Sequence, residues 1–149
     1  MGNSDIANAG KQKGKKQMKL DGFGILVEDM AGMIRFYRDV LGFEIKETED
    51  AEHVFLEKDG TLFMLCRRAD FEKMTGKSLS YAKGTNGHYE IALSAADYAA
   101  VDRAFEEIVA AGGKEILAPS TMPWGQRTCY IADPEGNLVE IGSFQKGEA

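Results

Sequence analysis

The order of apolar and polar positions after residue 20 predicts a first unit of strands around one helix. Residues 23–27 alternate as a strand does, and residues 30–41 carry apolar side chains at helical spacing. Asp29 is placed to cap that helix, and Gly42 is placed to end it. Further strands are predicted at residues 43–45, 53–57 and 61–66. The predicted order is β-α-β-β-β.

The same order returns after a polar, glycine-containing segment. Residues 67–87 are predicted to form a linker, with a short helical turn near residues 70–75. A strand at residues 88–94 and a helix at residues 98–111, capped by Asp97, follow. The last three strands are predicted at residues 114–117, 126–132 and 137–142.

Two copies of one supersecondary unit in 149 residues predict an α+β fold without a parallel doubly wound sheet. We expect two βαβββ modules, residues 20–66 and 88–142, in a pseudo-two-fold arrangement that forms a cavity. The domain then covers residues 20–144. Residues 1–19 are lysine-rich and nearly without apolar side chains, which predicts a flexible basic tail, and residues 145–149 form a second tail.

Composition narrows the expected partners. The formal net charge of −6 argues against a nucleic-acid partner. Cys66 and Cys129, the two cysteines, have no metal-binding or redox spacing, and we expect them to be free thiols. The sequence has neither an apolar run of membrane-spanning length nor a signal-peptide pattern. We therefore expect a cytoplasmic protein that does not contact a membrane.

Two segments carry a resemblance to a known family. Residues 27–30 (Val-Glu-Asp-Met), followed by residues 35–43 (Arg-Phe-Tyr-Arg-Asp-Val-Leu-Gly-Phe), are similar to the first-helix signature of the vicinal-oxygen-chelate superfamily. This is the glyoxalase, bleomycin-resistance protein and extradiol-dioxygenase group. Residues 133–140 (Asp-Pro-Glu-Gly-Asn-Leu-Val-Glu) resemble its closing signature. The resemblance covers residues 20 to about 144 and implies the glyoxalase/bleomycin resistance/dioxygenase fold, but these motifs are structural and do not determine the chemistry.

The resemblance also implies where a ligand binds. Metal-dependent members carry His or Glu at four positions facing the cavity, which correspond here to Gly22, Met64, Glu90 and Glu140. Glycine offers no ligand, and a thioether suits hard cations poorly. The resemblance is therefore closest to the bleomycin-resistance-like members with a degenerate metal site, and we assign no cofactor. His88 lies two residues before Glu90, so a divalent metal held by these two residues and Glu140 stays open.

A third segment supplies further candidate ligand contacts. Residues 123–127 (Pro-Trp-Gly-Gln-Arg) resemble the segment before the closing strands of bleomycin-resistance proteins. Trp124, the only tryptophan, is expected either to stack on a flat or cationic ligand or to cover the seam between modules. Arg127 is expected to contact a ligand anion or to pair with a buried carboxylate, Glu140 or Glu90. The predicted ligand-binding set is Glu90, Glu140, Trp124, Arg127, Met64 and Tyr130.

Three functions are consistent with these residues. The first is a binding protein for a small organic ligand, with an acidic and partly aromatic cavity and without the full metal site. The second is a metal-dependent lyase, isomerase or dioxygenase similar to lactoylglutathione lyases. The third is a metal-free enzyme with Glu90 or Glu140 as general base. We favour the first or third and assign no catalytic residue. We also expect a homodimer, since relatives commonly dimerise and the second predicted helix has a face of small residues.

Overall fold

The computed structural model describes residues 17–148, so most of the predicted basic tail lies outside the described residues. The strands are β1 (Gly22–Val27), β2 (His53–Lys58), β3 (Thr61–Arg67), β4 (Asn86–Ser94), β5 (Lys114–Thr121), β6 (Arg127–Ala132) and β7 (Asn137–Ser143). The helices are α1 (Met30–Arg35, continued by a π-helical turn at Phe36–Val40), α2 (Arg68–Thr75) and α3 (Tyr98–Ala110).

The strands form two sheets of the same design. Their orders are β1-β3-β2 and β4-β7-β6-β5. In each sheet the first strand runs parallel to the strand that follows the hairpin turn, β1 to β3 and β4 to β7, and the other pairs are antiparallel. The predicted mixed α+β fold is therefore confirmed. The linker contains a complete helix, α2, where the sequence predicted a short turn.

The strand predicted at residues 43–45 is wrong, so the described part of the first sheet has three strands and the second has four. Phe43 and Ile45 are buried in the core as their apolar character implies. Their backbone amides, however, bond locally. The Phe43 N–H donates to the Tyr37 carbonyl at 2.8 Å, and the Ile45 N–H donates to the Phe43 carbonyl at 2.8 Å. These amides donate hydrogen bonds within the helix end and the turn after it, so they do not pair with a neighbouring strand.

Both predicted helix caps are confirmed. The Asp29 carboxylate accepts a hydrogen bond from the Gly32 N–H at 3.0 Å, and the Asp97 carboxylate accepts one from the Ala100 N–H at 2.8 Å. Gly42 follows the π-helical turn with a φ of +76°, the left-handed conformation in which glycine avoids a steric cost.

One hydrophobic core joins the two modules, with Tyr37 at its centre. The Tyr37 ring is fully buried and contacts Phe36, Phe43 and Phe63. Its hydroxyl donates to the Asp133 carboxylate at 2.8 Å, in the turn between β6 and β7. The first helix is thus fastened to the hairpin of the other module. Among residues 17–148, no helix combines the length and apolar character needed to cross a membrane.

Candidate functional site

The two sheets place the four family positions in matching register. Met64 on β3 pairs with the residue two after Gly22 on β1. Glu140 on β7 pairs in the same way with the residue two after Glu90 on β4. The correspondence that the sequence repeat predicted therefore has a geometric basis in both parallel strand pairs.

These positions lie on the side of the sheets that faces away from the helices. Helix α3 packs on β5, β6 and β7, and the β7 residues on either side of Glu140, Val139 and Ile141, are buried in the core. Because side chains alternate along a strand, Glu140 points to the opposite side. Met64 lies in the same way between buried Phe63 and Leu65. We name this side of the two sheets the open face.

Hydrogen bonds hold the Glu140 carboxylate in place on the open face. Its Oε2 atom accepts from the Tyr130 hydroxyl at 2.7 Å and from the Thr128 hydroxyl at 3.0 Å. Burial raises the pKa of Tyr130 well above its ordinary value, and hydrogen bonding to Glu140 and then to Glu90 raises it further. The Tyr130 hydroxyl is thus in direct contact with Glu140, and Glu90 lies near enough to raise the pKa of the same hydroxyl.

The β5–β6 loop lies next to the Glu140 carboxylate. A cavity of about 240 Å³ is bordered by Glu140, Gln126, Gly142 and Phe144. Trp124 is exposed, and its indole N–H donates to the Gln126 side-chain carbonyl at 2.9 Å. A Cβ atom at Gly142 would lie 2.7 Å from the Gln126 amide nitrogen, so glycine allows this amide to approach β7. Sequence reasoning missed Gln126, because a glutamine in a loop carries no pattern of its own.

Thr128 was also missed, although a signal existed. It lies two residues before Tyr130 on β6 and therefore on the same face of that strand. Tyr130 pairs across the strands with Glu140. Alternation along the predicted strand would therefore have placed the Thr128 hydroxyl beside Glu140.

Arg127 is not part of this arrangement. It pairs with Asp102 on α3, with 2.6 Å between Nε and Oδ1, and its Nη1 donates to the Thr121 hydroxyl at 3.0 Å. Alternation along β6 turns Arg127 toward α3 and Thr128 toward Glu140. The predicted pairing of Arg127 with Glu140 or Glu90 is thus wrong, because Asp102 is its partner.

The first sheet contributes an apolar half to the open face. Met64 pairs across the strands with Phe55, whose side chain is 58% exposed. Cys66 pairs with His53 in the same sheet and is half-buried. The open face is therefore polar and acidic on the second sheet, and apolar and sulfur-containing on the first.

Two of the four positions that the resemblance assigns to metal ligands, Gly22 and Met64, carry neither a carboxylate nor an imidazole. At Gly22, a side chain would overlap the Leu62 carbonyl oxygen and Cβ, so the close approach of β1 and β3 leaves no room for a ligand there. Within residues 17–148, no group of three or more His, Cys, Asp or Glu side chains is arranged to hold a metal ion. His88, exposed on β4, does not complete such a group with Glu90 and Glu140.

Comparison with known proteins agrees with the fold. The family model for the Glyoxalase/Bleomycin resistance protein/Dioxygenase superfamily matches residues 19–141. The chain therefore belongs to this superfamily.

Individual relatives extend over nearly the whole chain. The uncharacterized protein YwbC of Bacillus subtilis is 30% identical over 128 residues, which cover 86% of this chain and 98% of that protein. A glyoxalase/bleomycin resistance protein/dioxygenase from Nocardioides superposes with a TM-score of 0.75 at 18% identity, covering 98% of this chain and 96% of the other. Lactoylglutathione lyase from Agrobacterium tumefaciens superposes with a TM-score of 0.64 at 23% identity, covering 85% and 94%. The two structural similarities establish the shared fold.

Proposed function

We propose that this chain binds a small organic ligand with a cationic or hydrogen-bond-donating group on the open face, without the full metal site of its family. The observation that carries the proposal is the Glu140 carboxylate, which Tyr130 and Thr128 orient at the position of the family's closing motif. A carboxylate that is partly removed from water gains from a positive charge or a further donor.

The charge balance around Glu140 supports a ligand of this class. Among the salt bridges of residues 17–148, none includes Glu140 or Glu90. Arg127, the cation that the sequence predicted as their partner, pairs with Asp102 instead. Two carboxylates without a cation favour a ligand that brings one.

The remainder of the open face fits an apolar or aromatic ligand body. Phe55 and Trp124 present exposed aromatic rings, and Met64 presents a flexible thioether. Aromatic faces attract organic cations, and methionine adapts to irregular apolar shapes. The proposed ligand therefore combines a positively charged or donor head with a flat or apolar body.

We also propose that the protein acts in the cytoplasm as a homodimer, with residues 20–144 as its folded unit. Exposed Phe144, which is not among the proposed aromatic ligand contacts, offers apolar area to a second copy. The small-residue face of α3 supports a homodimer less than the sequence suggested. Ala104 on that face packs against the chain's own core and is not free to contact a second copy.

The test compares benzylamine, an aromatic cation, with benzyl methyl ether, a neutral analogue that has no hydrogen-bond donor. Binding is followed by Trp124 fluorescence and by calorimetry. We expect benzylamine to bind more tightly than its neutral analogue. Glu140→Gln should reduce the affinity for benzylamine about tenfold, because it removes one charge of an ion pair. A tenfold loss is a modest fraction of the attraction between two unit charges at contact distance near a protein surface. The affinity for benzyl methyl ether should change little in this variant.

Glu115→Gln is the matched control, because Glu115 is an exposed carboxylate on β5 of the same sheet. Its strand partner on β6 is the core residue Ile131. Equal affinities for both probes in wild type, or an equal loss in both carboxylate variants, would contradict the proposal. Purified protein that holds stoichiometric metal, and loses it in Glu140→Gln, would restore the metal-dependent alternative.

A further inference from the structure

A cavity of about 350 Å³ lies between the β2–β3 hairpin and β4, and we name it the hairpin cavity. Its floor is apolar and consists of Phe23, Phe43, Phe63, Ile91 and Leu93. The Phe43 and Phe63 rings belong to the core, with their centroids 5.1 Å apart. The volume falls within the range of roughly 300–1,000 Å³ that is usual for small-molecule sites. The floor therefore suits the apolar part of a ligand.

The hairpin beside this cavity differs from its counterpart in the second module. In the β6–β7 hairpin the Glu135 carboxylate accepts hydrogen bonds from the Glu28 N–H at 2.9 Å and the Asp29 N–H at 3.0 Å. Asp59 occupies the corresponding place in the β2–β3 hairpin, since each acid directly precedes the positive-φ glycine of its turn. The Asp59 side chain is 90% exposed, so the mouth of the cavity beside it is accessible to solvent.

The charged side chains that line the hairpin cavity leave one negative charge in excess. They are Lys58, Asp59 and Glu90. The Lys58 ammonium lies 3.6 Å from the Asp59 carboxylate and 5.0 Å from the Phe43 ring centroid, so these two charges compensate each other. Glu90 takes part in none of the salt bridges of residues 17–148. The cavity therefore favours a cation, and it favours one close to Glu90.

The hairpin cavity adjoins the smaller cavity beside Glu140. Ala92 and Leu93 line both of them. Both residues belong to β4, which is an edge strand, so a ligand can pass along it without crossing the sheet. Glu90 lies on the same strand and near enough to Tyr130 to affect its hydroxyl, which is bound to Glu140 at 2.7 Å. The two carboxylates therefore lie where the two cavities meet.

We propose that the ligand of this protein is a primary amine with an extended alkyl or aralkyl chain, and that the hairpin cavity holds the far end of this chain. The ammonium lies between Glu90 and Glu140, and the chain runs along β4 onto the apolar floor. A short body such as that of benzylamine is accommodated on the open face, whereas a longer one reaches the cavity. This inference rests on the proposed function, because it assigns the positive charge to the same carboxylates.

The first test is a series of butylamine, hexylamine and octylamine, with binding measured by calorimetry. Each methylene that leaves water should raise the affinity by about two- to fourfold. We expect octylamine to bind one molecule per chain, and more tightly than butylamine. An affinity that does not increase along the series would overturn the proposal.

The second test uses charge variants with opposite expected effects. Glu90→Gln should weaken octylamine binding about fivefold, as expected for one exposed ion pair. Lys58→Gln should strengthen it about twofold, because the cavity loses a positive charge. Lys146→Gln, a change at an exposed lysine that does not line the cavity, should leave it unchanged. Octylamine binding that weakens in Lys58→Gln, or that is unaffected by Glu90→Gln, would contradict the assigned charge preference.

Location is tested by filling the cavity and by NMR. Thr61→Trp places a large side chain at the exposed mouth of the cavity and should weaken octylamine but not benzylamine. Ser78→Trp, at an exposed linker position, is the matched control. In wild type, octylamine should shift the backbone amide signals of Ile91 and Leu93 more than butylamine does, and equal shifts would overturn the assigned location.

The two proposals fail in different ways. If benzylamine binds and depends on Glu140, but octylamine gains nothing from its chain and is indifferent to Thr61→Trp, the role of the hairpin cavity is refuted and the proposed function stands. If no amine binds, both are refuted.

Discussion

Replacing Tyr37 with Phe is expected to lower the free energy of unfolding by about 1–2 kcal/mol. The side chain is fully buried, and its hydroxyl donates to Asp133 Oδ2 at 2.8 Å. A hydrogen bond to a charged group contributes roughly 1.5–3 kcal/mol. Asn137 Nδ2 donates to the same oxygen at 2.8 Å, so the carboxylate keeps a partner in the variant, and the loss should fall toward the lower end of that range.

The same hydroxyl predicts a dependence of stability on alkaline pH. Burial raises the pKa of Tyr37 well above its ordinary value, and the Asp133 charge raises it further. A tyrosine whose pKa is higher in the folded state contributes stability that is complete below its unfolded pKa of about 10 and is lost as the pH rises above that value. Tyr37→Phe should therefore be less stable than wild type at neutral pH but less sensitive to alkali.

Urea unfolding followed by circular dichroism, at neutral pH and at about pH 11, measures both effects. Tyr98→Phe is the matched control, because its hydroxyl donates to the Gly125 carbonyl at the exposed β5–β6 loop. We expect it to change the free energy of unfolding by about 0.5 kcal/mol or less. A Tyr37→Phe protein with wild-type stability at neutral pH, or with wild-type sensitivity to alkali, would refute the argument.

Two further predictions concern the helix starts and the β5–β6 loop. Asp29→Ala and Asp97→Ala should each lower the free energy of unfolding by about 1 kcal/mol through loss of an N-cap, and thermal melts without change would contradict the assigned caps. Gly142→Ala should displace the Gln126 amide and weaken its hydrogen bond to Trp124, with little loss of stability since the displaced atom ends a flexible side chain. Trp124 emission measures this displacement, and an unchanged spectrum would argue against the contact.

The functional site shows how far alternation along strands can lead. The candidate positions of Glu90 and Glu140 followed from the repeat and from the family motif, and the strand register sets Tyr130 directly opposite Glu140. The partner of Arg127 did not follow, because a charged residue in a strand interior indicates only that it needs compensation. Which carboxylate compensates it depends on the packing of α3 against β6, which brings Asp102 to it.

The sequence by itself determined the repeated order of strands and helices and both helix starts, because these depend on local periodicity and on side chains that bond within one turn. Tertiary structure decided the rest. Phe43 and Ile45 look like a strand, but whether backbone amides pair with a neighbouring strand depends on where the chain leaves the preceding helix. The two hairpins differ for a similar reason: Glu135 accepts hydrogen bonds from the Glu28 and Asp29 amides just before α1, while Asp59 of the β2–β3 turn is exposed to solvent. Such contacts join residues far apart in the chain, and only the folded arrangement of the modules brings them together.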